Sequence, residues 1–412
     1  MKKRIGFDFV ALLAIAVGFF VLLYFQDFDL DFLDYLKNTD VEMLVDKSAY
    51  ENKEYALNQE EDKLSELEKQ NFIQPSEEKL VNCYYYSMLN ESEKAVYEEI
   101  YSVIENFGKD VKLSTTDPDL IEKIFKCVLN DHPQFYYVEG YTYTTYTKGT
   151  EVTKLEITGT YSKTKEECEV INAQIEMYVK NCFAKMPVGI SDYEKVKYIY
   201  DYILDGTEYN LLAKDNQNIC SVFLNGESVC MGYAKAMQYL LLKQNILCTI
   251  VNGTASQGEE HAWNLLMLDG QYYHLDATWG DDSYTVSNNS ASQIGMKNYS
   301  FFCVTTEEIS KTHQIKNIVE LPVCIAWENN YYVKEGLYFR SFDKDKLQQV
   351  FDDAYAKDKA HIEIKCADSV VYRQIYSYLI EEQNIFDYIT KGKDTVSYYD
   401  GEELLLLEFW LK

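Results

Sequence analysis

Residues 261–279, HAWNLLMLDGQYYHLDATW, are two strand-like runs that meet at Asp269 and Gly270. An Asp-Gly pair between apolar runs is the signature of a two-residue type I′ hairpin, whose twist matches that of its strands. Such a turn sets 268 opposite 271, so Trp263 falls opposite Asp276 and His261 opposite Thr278. Side chains alternate between the faces of a strand, which puts His261 and Asp276 on one face as diagonal neighbours, within each other's reach. An imidazole oriented by a carboxylate is the base half of a nucleophilic site.

Upstream, residues 226–244 read GESVCMGYAKAMQYLLLKQ. The stripe Tyr233, Ala234, Met237, Leu240 and Leu241 predicts a helix, with Ser228 as its expected cap. Cys230 then sits in the first turn, where unpaired N–H groups and the positive end of the helix favour thiolate. Spacing thus offers nucleophile, base and orienter within one short segment.

Those two motifs together resemble the core of the transglutaminase-like superfamily, which shares a papain-type arrangement. The resemblance implies Cys230 as nucleophile, His261 as base and Asp276 as its orienter. It also implies supporting roles for Tyr233, Trp263, Asn264 and Trp279, with Trp263 and Asn264 shielding the histidine. SDYEKVKYIYDYILDGTEYN, from Ser191, is similar to the helix that precedes this segment in bacterial members. Ala277 departs from the pattern, since proline is common there. The implied fold is α+β, a Cys-bearing helix packed on an antiparallel sheet that bears the His and Asp. The implied activity is acyl transfer from peptide or isopeptide amides, with hydrolysis favoured. A protein-crosslinking transglutaminase and a non-catalytic scaffold that binds peptide or wall polymer remain open.

The rest of the chain bounds these readings. A net charge of −28 over 412 residues argues against nucleic acid or an anionic lipid surface as main partner. Ten scattered cysteines show no CxxC spacing, so no metal or other cofactor is expected. His261, His274, Asp276 and Cys230 around a metal is the alternative that spacing permits. Disulfide pairing is left open.

The start is basic, at Lys2, Lys3 and Arg4, and is followed by an apolar run from Phe9 to Phe25 and then by Asp27, Asp29 and Asp31. That order predicts a retained signal anchor, with the amino terminus inside and the body at the outer cell surface. Bulky residues where a cleavage site needs small ones argue against a cleaved leader. A surface protein or cell-wall peptide is then the expected substrate.

The expected organisation is an anchor over 1–26, an acidic stalk over 27–80, a small α+β domain over 81–185, the catalytic domain over 186–310 and a C-terminal α/β module over 311–412. Within the first domain Asn90 and Asp117 predict helix starts, and Lys148 and Gly149 a hairpin turn. His132, before a proline, reads as a turn residue. The module reads strand, helix, strand, helix, strand, beginning with NYYVKEGLYFR from Asn330.

Overall fold

The computed structural model describes residues 2–6, 74–255, 258–281, 297–389 and 395–411. Its contacts divide the chain into two units, Met1–Asn172 and Ala173–Lys412. The apolar run from Phe9 to Phe25 and most of the expected stalk lie outside the described residues. Residues Lys2–Gly6, expected as the flank of an anchor helix, form a strand instead (β1). Among the described residues no helix is long and apolar enough to cross a membrane.

In the first unit helix α1, Glu91–Asn106, starts where expected. Asn90 accepts from the N–H groups of Ser92 and Glu93, and Glu93 reaches back to the Asn90 N–H, a reciprocal cap. The helix stops at Phe107, whose backbone is left-handed (φ 57°). After the short strand β2, Val111–Lys112, helix α2 runs over Pro118–Asp131 with Asp117 as its cap. Strands β3, Val138–Lys148, and β4, Glu151–Tyr161, form the expected hairpin around Gly149. The sheet order is β1-β3-β4-β2. Val96, Ile100 and Val103 of α1 and Ile121, Ile124 and Val128 of α2 are buried, as the spacing of 3.6 residues per turn requires. His132 is more than a turn residue: it is buried, with Nε2 2.9 Å from the Tyr97 hydroxyl. Helix α3, Lys165–Ala184, follows.

In the second unit helix α4, Asp192–Gly206, is capped by Ser191 and buries Tyr193, Val196, Ile199 and Ile203. Two short parallel strands, β5 at Glu208–Tyr209 and β6 at Glu227–Ser228, lead into helix α5, Cys230–Lys243. Strands β7, Cys248–Ala255, β8, Glu260–Leu268, and β9, Gln271–Leu275, build an antiparallel sheet against which α5 packs. A fourth strand, β10 at His313–Ile315, pairs with β7 on the side away from the hairpin, giving the order β10-β7-β8-β9.

The C-terminal part of this unit holds a second sheet, β11-β12-β14-β13. Its strands are β11, Tyr338–Phe339, β12, His361–Cys366, β13, Ser397–Gly401, and β14, Leu406–Trp410. Helices at Lys344–Ala356 and Ser369–Tyr376 flank β12 in sequence. The stretch from Asn330 departs from expectation. Asn330 caps a single helical turn, Tyr331–Lys334, and only Tyr338–Phe339 is extended. A stretch rich in tyrosine and valine there imitated a strand, but the Asn330 side chain accepts from the Tyr332 N–H and closes a turn.

Candidate active site

Helix α5 begins at Cys230, and the residue that caps it is Val229, not Ser228. Ser228 turns away to meet the Ser221 hydroxyl at 2.6 Å. The Val229 side chain makes no capping hydrogen bond, and the Gly232 and Tyr233 N–H groups donate to the Val229 carbonyl at 2.9 and 3.2 Å, which leaves the N–H groups of Cys230 and Met231 as the candidates for an incoming oxygen. Gly232 explains how the helix sits so close to that serine pair. A Cβ at 232 would lie 2.0 Å from Ser228 Oγ and 2.5 Å from Ser221 Oγ, so no larger residue fits.

All ten cysteines are free thiols, and Cys230 alone is not buried. Burial pushes the thiols of Cys127, Cys182 and Cys366 up to about 12, which keeps them protonated and poorly reactive. Cys230 packs beside Ala234, Ile250 and Ala262, at the junction of α5 with β7 and β8.

The hairpin has the register counted from its turn. Leu268 faces Gln271, Leu265 faces His274 and Asn264 faces Leu275, with left-handed backbone at Asp269 and Gly270 (φ 52° and 74°). The ladder ends there, short of the counted pairs Trp263–Asp276 and His261–Thr278, and just past it His261 Nε2 lies 2.8 Å from Asp276 Oδ2. The other oxygen, Oδ1, accepts from the N–H groups of Thr278 at 2.8 Å and Trp279 at 3.3 Å. With Nε2 on the carboxylate, Nδ1 is the nitrogen left for the Cys230 thiol, whose sulfur helps to raise the proton affinity of His261.

The charges follow from this geometry. Burial works against a His261 cation, but the charge and hydrogen bond of Asp276 and the neighbouring sulfur outweigh it and push His261 up to about 10. Burial likewise works against an Asp276 anion, yet the His261 charge and hydrogen bonds from two imidazoles hold the carboxyl well below its usual range.

The second imidazole belongs to His313, whose Nε2 lies 3.1 Å from the same Oδ2. His261, Asp276 and His313 are all buried, with their donor atoms within 4.8 Å of one another. Hydrogen bonding accounts for the grouping. Sequence reasoning missed His313 because β10 returns to β7 after a long excursion, and no spacing rule links it to the hairpin.

The supporting residues divide. Trp263 lies over His261 at a centroid distance of 6.1 Å, and its indole N–H donates to His274 Nδ1 at 3.2 Å. Trp279, half-buried, faces both His261 and His313, at 6.4 and 4.8 Å. Asn264 does not shield the histidine. Its amide donates to the Ala234 carbonyl at 2.9 Å and ties α5 to the sheet. Tyr233 is fully buried and donates to Asp281, which is buried too. His274, a candidate ligand by spacing, is held neutral by burial and bonded to Trp263 and Thr306. Tyr209, a further neighbour missed in the sequence, lies within electrostatic range of Cys230 and Asp276, and burial keeps its phenol protonated.

Residues 186–277 match the family model described as the transglutaminase-like superfamily. The family resemblance holds for this segment. The match includes Cys230, His261 and Asp276 and ends before Trp279 and His313. Kyphoscoliosis peptidase of Homo sapiens is 25% identical over 169 residues, covering 36% of this chain and 25% of that protein. Its Mus musculus counterpart is 29% identical over 106 residues, 22% of this chain and 16% of that one. The chain thus spans a quarter or less of the curated relatives it matches. A crystal structure of a TGase superposes with TM-score 0.25 at 16% identity, covering 31% of this chain and 42% of that one, a likeness too weak to carry argument.

Proposed function

We propose that the second unit carries a transglutaminase-like cysteine acyl-transfer site that hydrolyses peptide or isopeptide amides. The observation that carries this reading is the continuous line of contacts from Asp276 through His261 to the Cys230 thiol, at the start of an uncapped helix. In this reading the resting pair already has its proton on His261, which holds it on Nδ1 towards Cys230, and the sulfur attacks the amide carbon. The oxygen that gains charge meets N–H groups of the first turn of α5. The carbon–nitrogen bond then breaks and the departing amine takes the proton from His261. Water attacks the thioester next, losing its proton to His261, which keeps it as the acid leaves and the thiolate is restored. Asp276 keeps the ring oriented and supports its cation throughout.

An amine in place of water would yield a cross-link through the same steps. That the curated relatives are described as peptidases favours hydrolysis. Placement at the outer cell surface, with a surface protein or cell-wall peptide as substrate, rests on the basic and acidic flanks of the Phe9–Phe25 run. Digestion of intact cells with an added protease tests that placement, and a protected body would refute it.

The reaction is tested by incubating the full chain with a labelled peptide library, with and without a primary amine. New peptide ends support hydrolysis, and label joined to the amine supports transfer. Binding of peptide with neither product, unchanged in Cys230→Ala, would favour the scaffold reading.

A further inference from the structure

His313 lies outside the family match, and the reaction above assigns it no step. We propose that His313 is a positioning residue: it shares Asp276 Oδ2 with His261 and keeps that carboxylate ionised and aimed, so that His261 holds its ring orientation and its proton affinity. The inference rests on the roles given to Cys230, His261 and Asp276.

A fully buried carboxylate keeps its charge only if donors replace water. Asp276 has four: two backbone N–H groups on Oδ1 and two imidazoles on Oδ2. His313 supplies the one that comes from outside the hairpin and its turn. Its ring is walled by Trp263, Trp279 and Phe301, at 5.0, 4.8 and 5.2 Å. Of those side chains, Trp263 already commits its indole N–H to His274, and Phe301 has no donor. Burial would then favour the protonated acid, and a neutral Asp276 no longer stabilises an imidazolium at His261.

His313 is itself held for this task. Its strand pairs with β7, with His313 opposite Ala255, and Nδ1 lies 2.8 Å from the Thr312 hydroxyl. With Nδ1 accepting from that hydroxyl, Nε2 carries the proton that points at Asp276. The titratable groups facing His313 are His261 on β8, Asp276 after β9 and His274 on β9. Only Asp276 accepts its proton.

The test is the rate of Cys230 alkylation by iodoacetamide, followed by mass spectrometry of the full chain as a function of pH. His261→Ala serves as the reference and should slow alkylation. His313→Ala should slow it about tenfold at neutral pH, and raise the pH at which the rate is half-maximal by about one unit. His313→Gln, which retains an N–H near the position of Nε2, should recover most of both effects. A purely structural role would lower the melting temperature without moving that pH.

Nitrogen-15 spectra of histidine-labelled wild-type protein provide a reading independent of any variant's folding, and should show protons on Nε2 of both His261 and His313. If His261→Ala slows alkylation while His313→Ala keeps the wild-type pH dependence, or if Nε2 of His313 bears no proton, the inference falls and the triad stands. If His261→Ala leaves the rate unchanged, both fall.

Discussion

Each unit contains a cysteine, a histidine and an aspartate in close association, and only one of the two sets is arranged for chemistry. In the first unit Cys83 Sγ lies 3.8 Å from His132 Nε2, and Asp131 adjoins the histidine in sequence. Asp131 accepts from the N–H groups of Tyr85 and Tyr86 and from the Tyr97 hydroxyl, and His132 gives it nothing. Tyr97 stands between them, 3.0 Å from the carboxylate and 2.9 Å from the imidazole. Left without a charged partner, His132 is pushed down to about 3 by burial, and burial raises the Cys83 thiol far above its ordinary range. In the second unit the carboxylate takes the imidazole proton directly, and His261 rises to about 10. Composition is the same. What differs is the atom on which the carboxylate is used.

The sharpest way to break that comparison is to remove each sulfur. Cys230→Ala should abolish turnover of any substrate found, a loss of about a thousandfold or more, while Cys83→Ala leaves turnover unchanged. Peptide turnover measured on both variants decides it, and equal losses would erase the distinction. Next come the carboxylates. Asp276→Asn keeps the shape and loses the charge, so kcat should fall on the order of a thousandfold. Asp131→Asn should instead lower the melting temperature and leave kcat near wild type.

Three histidines predict opposite limbs of a stability curve. His132 and His274 are held near 3 by burial and bind a proton near 6.5 once unfolded. Unfolding therefore takes up protons on the acid side, and stability falls as pH drops below about 6.5, by at most about 1.4 kcal/mol per pH unit for each group. His261 runs the other way. Its folded value of about 10 exceeds the unfolded 6.5, so its contribution is complete below 6.5 and is lost as pH rises towards 10. Urea midpoints from pH 4 to pH 10 should show both slopes. His132→Gln should flatten the acid limb and His261→Gln the alkaline one.

Much of the second unit was legible because its information is local. A two-residue turn fixes every pairing along Leu268 to Asn264, so the His261–Asp276 contact could be counted from Asp269 and Gly270. Helix starts at Asn90, Asp117 and Ser191 were readable for the same reason, since a cap and its helix are neighbours in sequence. Ser228 misled because a serine before a helix has a choice of partners, and Ser221, brought near by the preceding loop, took it. His313 was illegible because its place depends on β10 returning to β7, a long-range pairing between three-residue segments with no pattern of their own. Tyr97, which disables the first cluster, was likewise readable only as one apolar position of α1.

The smallest effect sharpens the contrast at the level of helix starts. Helix α1 has a complete reciprocal cap, whereas α5, which carries the candidate nucleophile, has none. A filled cap stabilises a helix but occupies the N–H groups that an oxyanion would need, so the two uses exclude each other at one terminus. Asn90→Ala removes both reciprocal bonds and should destabilise the first unit by about 1 kcal/mol, a shift of a few degrees in a melt. Because α1 bears no reacting group, Cys230 alkylation in the folded variant should keep its wild-type rate. A rate that fell together with the melting temperature would mean that the cap at Asn90 is felt beyond its own helix, and that the division between a capped, structural terminus and an open, chemical one is drawn in the wrong place.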